Sequence, residues 1–301
     1  LTKVVVAGGS GLVGRRLIQR LAAEGAEIVL VSRQSRIPGL PVGVQVAPWE
    51  HLETVLAGAG SIINLAGEGI ADARWTPDRK QLLRSSRIDA TTRLVEAIGR
   101  AAPRPVALVN ASAIGIYDVR AESPVDEGSA LGTGFLPDLC RDWEAAADAA
   151  SVLGVRVVKL RIGVVLAREG GALPKMAAPV KLFLGAPLGH GSQGLSWIHI
   201  EDLVELLLRA AGDPAWEGAM NATAPESLPN AAFTRILGEA LRRPIFPVPG
   251  WITAAAVKVL AGEMGKELLL SGAYVQPRRA LEKGFAFRFP TAESALKNLL
   301  T

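Results

Sequence analysis

Cysteine occurs once in 301 residues, tyrosine twice, and histidine and methionine three times each. A single cysteine excludes an internal disulfide and a cysteine-based zinc site, and it fits a reducing cytosol. No apolar run approaches the roughly 20 residues that span a bilayer. The opening LTKVVVAGG reads as the start of a strand, not as a signal peptide, so a cytoplasmic chain with no membrane partner is expected. Lysine and arginine never cluster with interleaved aromatics, so the formal charge of +4 is no argument for nucleic acid. His, Asp and Glu do not gather at ligand spacing, and no metal is expected. There is no internal repeat and no low-complexity tract.

What is present is a chain that is 49% hydrophobic, enough for a sizeable core. The runs KVVVAG (3–8), EIVLVS (27–32), SIINLAG (61–67), PVALVNAS (105–112) and VRVVKLR (155–161) are short, rich in Val and Ile, and apolar on both faces. They read as buried parallel strands. Helical stretches lie between them at 12–24, 51–57, 78–101 and 137–152. This alternation predicts an α/β fold, a Rossmann-like doubly wound parallel sheet. After about residue 164, Gly and Pro punctuate the chain (GGALP, LGAPLGHGSQG, PVPG). Residues 1–163 with 196–222 are expected to form the nucleotide-binding domain. Residues 164–195 and 223–301 are expected to form a smaller C-terminal substrate lobe. Within LSWIHIEDLVELLLRA and AMNAT, a strand, a helix and a strand are expected to return to the main sheet.

Gly8, Gly11 and Gly14 fall at G-x-x-G-x-x-G spacing after the first strand and before the first helix. Glycines allow a tight turn and close approach to a pyrophosphate, and a helix N-terminus offers that anion free N–H groups. Gly8, Gly9, Ser10, Gly11, Leu12, Val13 and Gly14 are the candidate cofactor loop. The second strand runs into Ser32, Arg33 and Arg36, where an NAD site would carry Asp or Glu. A guanidinium there pairs with a 2′-phosphate, so NADP(H) is favoured. Asn64, Leu65, Ala66 and Gly67 (NLAG) end a further strand and add small or polar contacts.

Together with NASAIGIY, these segments resemble an extended short-chain dehydrogenase/reductase. The segments IADARWT, SSRIDATTRLVEAI, CRDWEAAA, GGALPKM and LSWIHIEDLV resemble its atypical branch of epimerase-family proteins, which carry a C-terminal domain of unknown role. The resemblance covers nearly the whole chain. It implies NADP(H) binding and similarity to sugar-nucleotide epimerases. Ordinary members use a Ser and a Tyr-x-x-x-Lys pair, in which lysine and the nicotinamide cation lower the phenol's pKa. Here Ser112 takes the serine position, while counting back from Glu144 puts the Tyr and Lys slots on Leu136 and Cys140. Neither side chain can do that work.

Tyr117, on the loop beyond the strand, is the candidate replacement acid or base, with Ser112 orienting a substrate carbonyl. Cys140 reads as a small hydrophobe in the cofactor pocket with Ala111, not as a nucleophile. Arg74, Trp75, Arg87 and Trp197 are candidate substrate contacts. His199 reads as structural, with proton transfer as its alternative role. Lys175, Arg278 and Arg279 are candidate anion contacts or surface charges. The expected activity is an NADP(H)-dependent oxidoreductase or epimerase-like enzyme acting on a small anionic or sugar-nucleotide-like molecule. A cofactor-binding sensor or scaffold is the alternative, and the chain is expected to be a monomer or homodimer.

Overall fold

The computed structural model describes residues 3–118 and 123–301. Its elements begin with β1 (Val4–Ala7), α1 (Leu12–Ala23), β2 (Ile28–Val31), β3 (Gln45–Ala47), α2 (Leu52–Leu56), β4 (Ser61–Asn64) and α3 (Pro77–Arg100). They continue with β5 (Ala107–Ala113), α4 (Phe135–Asp148), β6 (Arg156–Ile162), β7 (Val164–Leu166), α5 (Ala172–Lys181), β8 (Gly194–Leu195) and β9 (Trp197–His199). Then follow α6 (Ile200–Gly212), β10 (Gly218–Ala222), β11 (Leu228–Pro229), α7 (Asn230–Leu241), α8 (Gly250–Leu269), α9 (Arg278–Glu282) and α10 (Ala292–Leu300).

Seven strands form one sheet in the order β3-β2-β1-β4-β5-β6-β10, and every neighbouring pair is parallel. The chain winds outward from β1 to β3 and then jumps back to β4. The order therefore reverses between β1 and β4, and the loops at their C-terminal ends diverge to open a crevice. Ala7 lies beside Asn64, and Asn64 beside Asn110, so the glycine loop, NLAG and the end of β5 share one edge.

Strand alternation divides the core into two layers. Val4, Val6, Leu30, Ile63, Val109, Val158 and Met220 face α1 and α6, meeting Leu17, Ile18, Leu21, Leu203 and Leu207. Val5, Ala7, Val29, Ile62, Leu108 and Val157 face α2, α3 and α4, meeting Leu56, Leu94, Ile98 and Ala147. Both strand faces are apolar because both are covered, which is why these strands read as continuous hydrophobic runs. β3 escapes a reading of the sequence because it is a three-residue, partly exposed edge.

The SWIH strand corrects one expectation. β9 does not return to the main sheet but pairs with β7 in a separate two-stranded parallel sheet, Val164 beside Trp197. The chain leaves the main sheet at Gly163, where an added Cβ would lie 2.8 Å from the Ser196 carbonyl oxygen. That backbone-on-backbone contact sets β9 beside the departing strand. α6 then packs on the main sheet, and β10 joins its edge beside β6. A third cluster, Leu173, Val180, Phe233, Leu237, Leu296 and Leu299, joins α5, α7 and α10. Among the described residues no helix is long and apolar enough to cross a membrane.

Candidate active site and cofactor cleft

The crevice is lined first by the turn between β1 and α1. Gly8 has φ +76°, and a Cβ there would lie 2.5 Å from the carbonyl carbon and oxygen of Leu65. A Cβ at Gly14 would lie 2.4 Å from Gly9 Cα. These two glycines are demanded by the protein itself. Gly11 differs: the nearest protein atom to its missing Cβ is 3.6 Å away, ordinary contact, and the residue is exposed. Gly11 caps α1, whose first turn carries no acidic side chain. Leu12, Val13 and Gly14 N–H groups open the helix without intrahelical acceptors, which suits an anion. Arg15 braces this turn, donating to the carbonyls of Ser10 (2.9 Å) and Pro38 (2.8 Å).

At the end of β2, Arg33 is 85% exposed and lies 3.5 Å from Glu68 across the crevice. Such an exposed pair contributes little and leaves the guanidinium free to turn to a ligand. Ser32 Oγ accepts from the Gln34 N–H, and Arg36 is exposed. Asn64 is buried; it donates to Thr91 Oγ1 (2.9 Å) and Asn110 Oδ1 (2.6 Å) and accepts from the Ala66 N–H. Its side chain shapes the NLAG turn from beneath, leaving Leu65, Ala66 and the exposed Gly67 at the crevice.

The supposed catalytic pair lies elsewhere. Ser112 is 2% exposed, and its hydroxyl donates to Glu144 Oε1 at 2.7 Å. Glu144 receives both arms of Arg161, at 2.8 and 3.0 Å. Arg161 also donates to the Tyr117 hydroxyl (2.9 Å), which donates to Asn221 Oδ1 (2.7 Å). β5, α4, β6 and β10 thus share one buried polar chain. Tyr117 is 1% exposed, and burial raises its phenol above the ordinary value against the opposing pull of Arg161. These placements correct the reading of Ser112 and Tyr117 as cleft groups: β5 is buried on both faces as far as Ser112, Tyr117 follows a short turn back into the core, and both hydroxyls are held by buried partners.

Leu136 packs over Gly115, whose added Cβ would lie 3.5 Å from Leu136 Cβ. Cys140 is buried beside Ala113, and burial pushes its thiol up to about 12. That removes a thiolate from consideration. Arg87 lies beneath Gly67, over the Trp143 ring at 5.3 Å, and donates to the Leu83 (3.1 Å) and Glu68 (2.8 Å) carbonyls. Burial lowers its pKa. Among the described residues no carboxylate lies within 4.0 Å of it.

Three further substrate candidates are structural. Trp197 is fully buried among Leu166, Leu173 and Phe233. Trp75 is buried, donates to the Ile70 carbonyl (2.9 Å) and meets Phe135 edge-on. Arg74 donates to the carbonyls of Val259 and Leu260, just before α8 bends at Gly262 (φ +59°). Large aromatic and basic residues carry no sequence mark that separates packing from binding. Arg278 pairs with Asp126 (3.2 Å), and Arg279 holds the Ala219 and Glu217 carbonyls. Lys175 reaches across to Asp72 at 3.8 Å. Among the described residues no group of three His, Cys, Asp or Glu could hold a metal.

His199 is also structural. Its Nδ1 accepts from the Glu201 N–H at the start of α6, Nε2 faces Asn298 Oδ1 at 3.2 Å, and its ring stacks on Phe289 at 3.8 Å. Burial lowers its pKa from 6.5 to about 4, with Asn298 and Glu201 pulling up and Arg288 pulling down. The unfolded chain therefore binds this proton first, and stability falls as pH drops from 6.5 toward 4. Between pH 7.5 and 4.5 the His199 contribution to that loss is about 2–3 kcal/mol, from the pKa difference. Urea melts of wild type and His199→Gln should show it: the variant's stability declines less over this interval by about that amount.

A family model described as the NAD dependent epimerase/dehydratase family matches residues 4–221. The chain belongs to the NAD-dependent epimerase/dehydratase family. A domain of unknown function matches residues 252–299, which include most of α8 and all of α9 and nearly all of α10. The chain is 38% identical to an Arabidopsis thaliana protein called epimerase family protein SDR39U1 homolog, chloroplastic, covering 99% of this chain and 86% of that one. It is similar throughout to the human epimerase family protein SDR39U1, whose crystal structure with NADPH aligns with TM-score 0.88, 36% identity and 99% coverage of both chains. UDP-glucose 4-epimerase from Thermotoga maritima shares the fold, with TM-score 0.78 at 17% identity.

In this epimerase/dehydratase family chain the glycine run read from the sequence lies between β1 and α1, and Arg33 lies just after β2. Sequence reasoning missed Arg15 and Arg161. Arg161 had a signal, a charge near the C-terminal end of a strand read as buried, which is costly unless paired.

Proposed function

We propose that the chain binds NADP(H) in the crevice and acts as an NADP(H)-dependent oxidoreductase or epimerase-like enzyme on a small anionic molecule. The residues 164–195 and 223–301 then form the lobe that closes the substrate side. The observation that carries the reading is Gly11: the protein leaves it open at the N-terminus of α1, where a pyrophosphate needs close approach. The human relative crystallised with NADPH supports the same choice. Leu12, Val13 and Gly14 N–H groups would hold the pyrophosphate, and Arg33 the 2′-phosphate. When bound, the dinucleotide supplies or accepts a hydride. Arg87, a buried cation with no carboxylate within 4.0 Å among the described residues, would receive the substrate's anionic group.

A second reading, a cofactor-binding sensor without turnover, is favoured by Leu136 and Cys140 standing at the positions counted as the Tyr and Lys slots. Fluorescence titration tests the shared part of both. Arg33→Ala should weaken NADPH binding about 10–100-fold, the loss of a charge-assisted phosphate contact, and leave NADH within about twofold. Equal affinities for the two nucleotides, unchanged in the variant, contradict the phosphate assignment. Turnover of any substrate with bound NADPH rules out the sensor.

A further inference from the structure

The inner floor of the crevice is apolar, and among the described residues it presents no free acid. Its half-exposed surface is Ala113, Ile114, Gly115 and Leu136, with Cys140 beneath. Leu136 packs in one cluster with Phe135 and with Met264 and Leu268 of α8. Among the described residues, Arg87, Cys140, Tyr117 and Glu144 are the ionisable side chains against this floor. The Cys140 thiol holds its proton to about 12. Tyr117 is bound between Arg161 and Asn221, and Glu144 between Arg161 and Ser112. Glu68, on the crevice lip, faces Arg33 and Arg79.

This matters for what can be reduced there. Hydride addition to a sugar or simple ketone makes an alkoxide, which needs an acid at the moment of transfer. A conjugated ring such as an isoalloxazine or a quinone spreads the same charge and persists as an anion in water. We propose that the cleft reduces a planar conjugated two-electron acceptor, an isoalloxazine or quinone ring, seated on Leu136, Ala113 and Gly115 with its developing anion toward Arg87. The proposal rests on the NADP(H) reading above. Bound NADPH supplies the hydride: its C4–H bond breaks, a bond from that hydrogen to the ring forms, two electrons leave the nicotinamide, and the ring anion later takes a proton from water. The chain's own part is an apolar platform and a fixed guanidinium. Glu68 and Leu83 carbonyls hold Arg87 in place, and among the described residues no carboxylate pairs with it within 4.0 Å, the Glu68 charge acting on it only from farther away. Such a preorganised charge acts where charge develops.

The test uses the intact chain. NADPH binding is measured first by fluorescence; its failure overturns the NADP(H) reading and this proposal with it. NADPH oxidation is then followed with FMN, menadione, p-nitrobenzaldehyde and UDP-glucose. Expected is ring reduction at least ~100-fold above the uncatalysed rate, flat within about threefold from pH 6 to 8.5, and unchanged within about threefold in Tyr117→Phe, since no general acid takes part. A second readout is equilibrium binding of FMN by quenching of flavin fluorescence. Arg87→Met should weaken it about tenfold and Arg87→Lys less. Bound NADPH with no ring reduced above background overturns the proposal. So does faster turnover of the aldehyde or the sugar nucleotide, or a bell-shaped pH profile. FMN binding and reduction unchanged in Arg87→Met overturn the charge assignment.

Discussion

Glu144→Leu is expected to destabilise the protein by about 3–5 kcal/mol, because it leaves Arg161 charged, buried and unpaired. Arg161 and Glu144 side chains are 7% and 8% exposed, and their contact is bidentate. Burial alone would lower the Arg161 pKa, yet the hydrogen bonds and charge of Glu144 raise it. Removing Glu144 reverses that balance and also strips an acceptor from Ser112. The loss should register as a fall in melting temperature on the order of 10 °C. The double variant Glu144→Leu, Arg161→Met should recover much of it, since removing both charges together avoids the isolated ion. A loss below about 1 kcal/mol in the single variant contradicts the account of this pair as the buried tie between α4 and β6.

Gly14→Val is expected to have a comparable effect by a different route. Its Cβ would meet Gly9 Cα at 2.4 Å and the Gly8 carbonyl oxygen at 2.8 Å, both backbone atoms that no side-chain rotation can relieve. Either α1 withdraws from the sheet or the glycine turn opens. Withdrawal pulls Leu17, Ile18 and Leu21 out of the core, and each buried aliphatic side chain stabilises the fold by about 1.5–3 kcal/mol. Opening the turn disperses the N–H groups of α1. Thermal melts and NADPH titration should therefore both change, with NADPH affinity down more than about 100-fold. A variant that melts and binds as wild type contradicts the close packing of α1 on the glycine turn.

The fold was legible because its strands are buried on both faces and its helices amphipathic. KVVVAG and SIINLAG could be little else once covered on both sides. The glycine loop was legible for the same local reason: the turn and the close approach are properties of consecutive residues. Ser112 and Tyr117 were not, because their surroundings depend on distant partners, Glu144 32 residues from Ser112 and Arg161 and Asn221 44 and 104 residues from Tyr117. Trp197 and Trp75 looked available in the sequence and are packed in the structure. The small sheets of β7 with β9 and β8 with β11 are built from strands of two or three residues, too short for a strand pattern to announce. Arg87 was read from the sequence as a candidate substrate contact by type and position; its hold on the Glu68 carbonyl depends on how α3 packs beneath the NLAG turn, which no local pattern announces.

The most direct measurement concerns Gly11. The protein has room for a Cβ there and the backbone is ordinary, φ −76°, so Gly11→Ala should melt within about 1 °C of wild type. If the residue is glycine because a dinucleotide pyrophosphate lies against it, NADPH affinity should nevertheless fall at least ~10-fold. An alanine variant that folds normally and binds NADPH as tightly as wild type places the cofactor somewhere other than the start of α1.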